Sequence, residues 1–220
     1  MDRKNQAYEY VKNSILNGDL PQGAPVKELE LAATLNMSRT PIREALRQLE
    51  AEGVVVSYPS RGTFVTTITP YDVEEIFELR ILLETWALEK GFYRITDEEL
   101  NQAEAAFTQS YEPFQWETYH IADRAFHHMI LDKAGNKRLS VFASTLDIQI
   151  ERIRRFGAKE ATRRQHSYSE HMNIIKCMRN RDLLGSRLAL QNHLRSVADS
   201  AIETCKIMEY SPYRAESIPL

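Results

Sequence analysis

The chain has 220 residues, of which 43% are hydrophobic and 27% are charged, and its formal net charge at pH 7 is -3. This composition excludes a mainly disordered chain, and two cysteines are too few for a disulfide framework and fit a reducing compartment. No long uncharged apolar stretch and no N-terminal apolar segment is present, so we expect a cytoplasmic protein without a membrane span or secretory signal. Because residues 1–69 carry equal numbers of basic and acidic side chains, any nucleic-acid surface must be a local patch.

The first 69 residues are predicted to form three helices and a hairpin. Apolar residues recur at helical spacing over 4–17, 26–35 and 40–52. The period then becomes extended, and β-rich runs at 54–56 and 63–66 flank a turn. Helix, helix, turn, helix and hairpin is the order of a winged helix-turn-helix domain, which binds double-stranded DNA.

The third helix carries a basic face suited to DNA. Arg39, Arg43 and Arg47 recur at i, i+4 and i+8, so their guanidiniums lie on one side of the helix. Arginine offers two parallel donors to guanine in the major groove. Ser38 and Thr40 stand at the helix start, where either could cap the helix or contact phosphate. Such a face on an isolated helix is most often merely solvated, but the order of elements favours DNA binding.

The run Asn-Met-Ser-Arg-Thr-Pro-Ile-Arg-Glu-Ala-Leu-Arg at 36–47 is followed by Leu-Glu-Ala-Glu-Gly at 49–53 and Arg-Gly-Thr-Phe-Val at 61–65. Together these segments resemble the DNA-binding domain of GntR-family transcription regulators. The resemblance implies DNA contacts from the recognition helix and from the tip of the hairpin, or wing. The implied contact residues are Ser38, Arg39, Thr40, Arg43, Arg47, Arg61 and Gly62.

Residues 70–210 are predicted to be an all-α bundle of six antiparallel helices, and residues 211–220 a flexible tail. Thr96 to Glu99 form the sequence signature of a capping box at the start of the second of these helices. The chain as a whole is predicted to be mainly α, with a winged helix-turn-helix domain at 1–69. The six helices are expected at 72–94, 97–109, 114–134, 137–157, 161–180 and 182–208.

Three histidines are predicted to face the interior of the bundle from three separate helices. His127, His171 and His193 lie on the apolar stripes of their helices, and Asp123 lies one turn before His127. A single inward histidine is usually a hydrogen-bonded core residue. Three in one bundle, with a carboxylate, suit a divalent ion such as Zn, Ni, Fe or Mn. His120 is expected at the rim, because it lies one heptad before His127.

The order and spacing of these residues resemble the FCD effector domain of the FadR subfamily. The resemblance rests on Asp-Arg-Ala-Phe-His at 123–127, Glu-His at 170–171, Asp182 and His-Leu at 193–194. It implies that a metal ion, preferably zinc, is coordinated by Asp123, His127, His171 and His193.

Arg80 is predicted to lie on the apolar stripe of its helix, where a buried guanidinium needs a partner. That partner is either Glu84, one turn later, or the carboxylate of an effector. Both alternatives remain open from the residues, and the family resemblance implies effector binding. Arg152 is a second candidate for effector binding, although most of the basic charge that follows it is expected to be solvated.

These features predict a ligand-responsive transcription regulator of a metabolic operon, a repressor in the commoner arrangement. It would bind a palindromic operator as a homodimer and sense a small carboxylate at the metal site. The signal is expected to pass through Thr67–Asp72, the only covalent link between the predicted domains. One alternative is a metal-dependent hydrolase or oxygenase fused to a DNA-binding module, but no inward general base supports it. Another is a metal-free bundle that only dimerises.

Overall fold

The computed structural model describes residues 2–157 and 161–209, so the tail predicted at 211–220 lies outside the described residues. The described chain forms ten α-helices and one three-stranded sheet, in two compact units. Of the described residues, the first unit comprises those up to Thr69 together with Thr145–Arg155, and the second comprises Pro70–Ser144 and those from Phe156 onward. Among the described helices, none is both long and apolar enough to cross a bilayer.

The first unit confirms the predicted winged helix-turn-helix order. Its third helix, at Arg39–Ala51, has an apolar face because Ile42, Ala45, Leu46 and Leu49 recur at helical spacing, and all four are buried. This face belongs to one core together with residues of the first helix and of the sheet. The elements are α1 (Arg3–Asn17), β1 (Pro25–Val26), α2 (Glu28–Thr34), α3 (Arg39–Ala51), β2 (Val55–Tyr58) and β3 (Gly62–Val65).

The sheet contains a strand that the sequence did not predict. Val26 was assigned to the second helix, but it lies in β1 and pairs with Thr63 in the central strand β3. The strand order is β1-β3-β2, and both pairings are antiparallel. Two residues are too few to show an alternating pattern, and Pro25 is compatible with an edge strand. The second helix therefore begins at Glu28.

The second unit confirms the predicted helical bundle. Its helices are α4 (Pro70–Gly91), α5 (Asp97–Tyr111), α6 (Trp116–Lys133), α7 (Lys137–Ser144), α9 (Ala161–Arg179) and α10 (Leu183–Glu209). A 3₁₀ turn at Phe92–Arg94 follows α4. Helix α4 packs against α6 and α10, α5 packs against α6 and α9, and α9 packs against α10.

The predicted capping box at the start of α5 is confirmed. The Glu99 backbone N–H donates to the Thr96 hydroxyl at 3.3 Å, and the Thr96 backbone N–H donates to the Glu99 carboxylate at 3.0 Å. These two bonds satisfy donors that a helix start leaves without partners.

One predicted helix, at 137–157, is in fact two helices that belong to different units. α7 ends at Ser144, and α8 (Asp147–Gly157) begins after a break that the apolar pattern does not show. Residues 145–155 join the first unit, where Ile148 is part of the core and the Gln149 amide donates to the Gly53 carbonyl at 2.7 Å. The chain therefore passes between the units after residues 69, 144 and 155, and Thr67–Asp72 is not their only covalent link.

Candidate functional site

The predicted DNA-contact residues of α3 lie on one exposed face. Arg39, Arg43 and Arg47 are all exposed and lie on a different side of the helix from its buried apolar face. The Arg43 Nε donates to the Glu28 carboxylate at 2.9 Å, while 56% of its side chain remains accessible. Because an exposed ion pair contributes little free energy, this guanidinium can exchange Glu28 for a base edge or a phosphate.

The start of α3 keeps its polar groups available. Ser38 occupies the N-cap position with an extended backbone, but its side chain makes no capping hydrogen bond, contrary to one of the two roles predicted for it. Both Ser38 and Thr40 are exposed. A helix start with unused backbone donors is suited to binding a phosphate oxygen.

The wing is a tight turn between β2 and β3. The Arg61 backbone N–H donates to the Tyr58 carbonyl at 3.1 Å, and Gly62 has φ of +97°, a conformation that favours glycine. Both Arg61 and Gly62 are exposed. The turn therefore presents a guanidinium at the tip of the wing, as predicted.

The four predicted metal ligands converge inside the second unit. Asp123 and His127 come from α6, His171 from α9 and His193 from α10, and all four are buried. Each offers one donor atom, and these atoms all lie within 4.8 Å of one another. The His171 Nε2 lies 3.2 Å from the Asp123 Oδ1, and the His127 Nε2 lies 3.8 Å from the same oxygen.

Each of the three imidazoles is held through its Nδ1 atom. The His127 Nδ1 donates to the Glu84 carboxylate at 2.5 Å, and the His193 Nδ1 donates to the Glu170 carboxylate at 2.8 Å. The His171 Nδ1 donates to the Ser167 backbone carbonyl at 2.8 Å. The other ring nitrogen of each histidine, Nε2, is buried and has no hydrogen-bond partner.

Burial favours the neutral form of two of the imidazoles, and neighbouring groups favour the ionised form of the two glutamates. Burial lowers the pKa of His127, and burial together with His171 lowers the pKa of His193 to about 3. Burial alone would raise the pKa of Glu84, but Arg80 and His127 outweigh it and lower the pKa to about 2. Burial likewise opposes ionisation of Glu170, whose hydrogen bonds to His193 and Arg163 lower its pKa to about 2.

This donor set fits a divalent metal ion. An ion that holds nitrogen and oxygen ligands at about 2.0–2.2 Å places them up to about 4.4 Å apart, close to the spread of the four donors. Neutral imidazoles with free Nε2 lone pairs are the form that binds metals. The cluster could therefore hold a metal ion with small movements of its side chains.

Arg80 makes the ion pair that was one of its two predicted alternatives. Its Nε donates to the Glu84 carboxylate at 2.8 Å, and its guanidinium lies 5.0 Å from the centre of the Phe77 ring. Arg80 is only 3% exposed, and its Nη1 is buried without a hydrogen-bond partner. The ion pair with Glu84 therefore satisfies the Nε donor of the guanidinium but leaves Nη1 without an acceptor.

Arg152 is engaged within the first unit. Its Nη1 donates to the Thr66 hydroxyl at 2.9 Å, and its Nη2 donates to the Thr66 backbone carbonyl. These bonds tie α8 to the segment after the wing, and Arg152 belongs to the first unit, whereas the four candidate metal ligands belong to the second. The sequence could not show this, because it placed Arg152 in the second domain.

Sequence reasoning missed the role of two glutamates next to the cluster. The sequence predicted Glu84 only as a possible partner of Arg80, and Glu170 only as part of the segment that resembles the FCD domain. Their contacts with His127 and His193 connect different helices, which helical periodicity does not reveal. His120 is not one of the four converging residues, and its ring stacks on Trp116 with centroids 6.0 Å apart.

Replacing Arg43 with alanine should weaken binding to an operator selected in vitro with the wild-type protein by about 1–3 kcal/mol, and should relax base choice at one position in each half-site. Arg61→Ala should weaken binding more evenly across sequences, since we expect the wing to contact phosphate and not a base edge. Fluorescence anisotropy with a panel of operator variants measures both effects. Arg3→Ala, an exposed change on α1, is the control. Wild-type affinity in Arg43→Ala would show that the recognition face is wrongly assigned.

Comparison with known proteins agrees with this architecture. Residues 3–65 match the family described as bacterial regulatory proteins, gntR family, and residues 75–196 match the FCD domain. The chain is 28% identical over 210 residues to an uncharacterized HTH-type transcriptional regulator of Streptomyces ambofaciens, covering 95% of this chain and 88% of that one.

A second relative and a solved structure extend the comparison. The chain is 32% identical over 151 residues to a probable D-xylose utilization operon transcriptional repressor of Paenarthrobacter nicotinovorans, covering 68% and 67% of the two chains. A crystal structure of a GntR transcriptional regulator from Rhodococcus sp. RHA1 shares the fold with a TM-score of 0.79 and 18% identity, over 92% and 99% of the chains. The chain therefore belongs to the GntR family of bacterial transcription regulators with an FCD domain, and it is a DNA-binding regulator and not an enzyme.

Proposed function

We propose that this regulator senses a small carboxylate at a divalent metal ion held by Asp123, His127, His171 and His193. The observation that carries the proposal is the convergence of three buried, unpartnered Nε2 atoms on the Asp123 carboxylate. Imidazole and carboxylate ligands suit zinc first, and also nickel, iron or manganese. An ion with five or six coordination positions would keep one or two for an oxygen of the effector.

Arg80 is the proposed second contact of the effector. Its Nη1 is buried and unpartnered, although burying an unpaired polar group is costly. A carboxylate that reaches the metal with one end and Arg80 with another oxygen would satisfy this donor. Sugar acids, hydroxy acids and amino acids all carry such a group.

The proposed action on DNA is repression that the effector relieves. The relative from Paenarthrobacter nicotinovorans is named as a probable transcriptional repressor, which supports repression and not activation. A single winged module reads few base pairs, so specific binding calls for two modules on a palindromic operator. The active species is then a homodimer.

A stripe of apolar side chains on α4 is the proposed dimer surface. Tyr71, Leu79, Leu82 and Trp86 lie on the face opposite the buried residues of α4, and all four are exposed. Leu82 is 65% exposed, and Tyr71 and Tyr93 lie equally far before and after it in the sequence, Tyr93 in the 3₁₀ turn that follows α4. Two copies of this stripe could therefore pack antiparallel about a two-fold axis at Leu82. In such a dimer both subunits contribute the same surface to the interface.

His171→Ala and His193→Ala should each reduce bound metal well below stoichiometry, because each removes one ligand from a shared site. The fold should stay largely helical, since helix packing does not depend on either side chain alone. The measurement is metal analysis after zinc loading and dialysis, with circular dichroism for helix content. His128→Ala, a change on α6 outside the cluster, is the control and should keep its metal. Stoichiometric metal in the double variant His171→Ala/His193→Ala would refute the proposed site.

Arg80→Lys should abolish the response to the effector while sparing metal content. A lysine can still pair with Glu84 as a point charge, but it lacks the second planar donor that Nη1 provides. The experiment is a thermal-shift screen of small carboxylates on metal-loaded protein. An acid present at about 100 times its Kd should stabilise the wild type by about 2.7 kcal/mol. An equal shift in Arg80→Lys would show that Arg80 does not contact the effector.

Leu82→Glu should dissociate the dimer, because a two-fold axis would place the new charge against its own copy. We expect dimer affinity to fall by about tenfold or more, equivalent to about 1.4 kcal/mol, with a matching loss of operator affinity. Sedimentation velocity over a concentration series measures this. Ile121→Glu changes an equally exposed apolar residue on α6 and should leave the dimer intact. A dimer unaffected by Leu82→Glu would place the interface elsewhere.

A further inference from the structure

Two glutamates next to the proposed metal centre each join an arginine to a histidine. The Glu84 carboxylate accepts from the Arg80 Nε at 2.8 Å through one oxygen and from the His127 Nδ1 at 2.5 Å through the other. Arg80, Glu84 and His127 are all buried. The first two residues come from α4 and the third from α6, so this chain of contacts connects two helices of the bundle.

A second chain of the same composition reaches the cluster from α9 and α10. The Arg163 guanidinium donates to both oxygens of Glu170, one of them at 3.1 Å, and Glu170 accepts from the His193 Nδ1 at 2.8 Å. The same Arg163 Nη1 also donates to the Ser196 hydroxyl at 2.6 Å. Arg163 is therefore fixed at two points, and it holds Glu170 in place beside His193.

An ionised carboxylate can only accept a hydrogen bond, so it fixes which imidazole nitrogen carries the proton. With the proton on Nδ1, the Nε2 lone pair of His127 and of His193 is directed into the cluster. A carboxylate behind an imidazole also increases its basicity as a metal ligand. His171 obtains the same tautomer from the Ser167 backbone carbonyl, which carries no charge.

Arg80 and Arg163 compensate the negative charge of the two glutamates. Two extra negative charges behind the ligands would oppose the entry of an anion at the metal. Arg80 and Arg163 offset these charges and hold both carboxylates in one orientation. The centre thus gains two basic ligands without becoming repulsive to a carboxylate.

We infer that Glu84 and Glu170 are positioning residues of the metal centre, each clamped by an arginine so that it orients one histidine for metal binding. This inference rests on the proposed metal centre. It assigns to Glu84 a role beyond its intrahelical pair with Arg80, and it assigns to Glu170 the orientation of His193.

The test is zinc affinity, measured by competition with a chromophoric chelator, in the wild type, Glu84→Gln and Glu170→Gln. A glutamine keeps the shape of each side chain but removes the charge and the obligatory acceptor, so each change should lower zinc affinity by about 10–100-fold. Glu74→Gln makes the same chemical change at an exposed position of α4 and should not alter zinc affinity. The visible absorption of bound cobalt gives a second readout, which should change in shape in both cluster variants and not in the control.

Thermal unfolding of the metal-free proteins separates positioning from a purely structural role. Glu84→Gln also removes the charged partner of buried Arg80 and is expected to lower stability, whereas the Glu170 side chain is 26% exposed and should tolerate the change better. Lowered metal-free stability with unchanged zinc affinity and cobalt spectrum in both variants would overturn the inference. Failure of the wild type itself to bind zinc would overturn the proposed metal centre, and the positioning role with it.

Discussion

In the interior of the helical bundle, the Nε2 atoms of three histidines lie close to the carboxylate of Asp123. This buried cluster brings together residues from α6, α9 and α10 of the second unit. A buried polar atom without a hydrogen-bond partner lowers the free energy of unfolding by about 1–3 kcal/mol, so three such atoms would markedly destabilise a small bundle. The ring centroids of Phe107 and Phe126 lie 4.3 Å and 5.7 Å from the ring centroid of His171, so the surroundings of His171 are largely apolar. A metal ion would satisfy all three nitrogens at once, and its binding free energy would then stabilise the fold.

Helix α4 connects the separate parts of the proposed mechanism. One face carries Arg80 and Glu84 toward the cluster, and the opposite face carries the apolar stripe around Leu82. The helix begins at Pro70, directly after the DNA-binding unit in the chain. An effector that draws Arg80 toward itself would bias the position of this helix, and a ligand can shift an equilibrium only through such differential contacts. The segment at 145–155 gives the second unit further covalent connections to the first.

The sequence predicted the features that depend on local periodicity and on recognisable order. The apolar face of α3, the capping box of Thr96 and Glu99, and the inward positions of the three histidines all follow from spacing along one helix. Features that depend on contacts between distant segments were missed. The strand at Pro25–Val26 exists because β3 pairs with it, and α8 joins the first unit through side chains such as Ile148. The pairing of Glu84 with His127 and of Glu170 with His193 is of the same kind.

The most direct test of the account is the tautomeric state of the histidines, read from imidazole ¹⁵N chemical shifts of histidine-labelled protein. In the metal-free protein we expect each of His127, His171 and His193 to carry a proton on Nδ1, as their hydrogen bonds require. Adding zinc should shift the three Nε2 resonances and leave the Nδ1 protons in place. Protons on Nε2 in the metal-free protein, or Nε2 resonances that do not respond to zinc, would contradict the proposed metal centre.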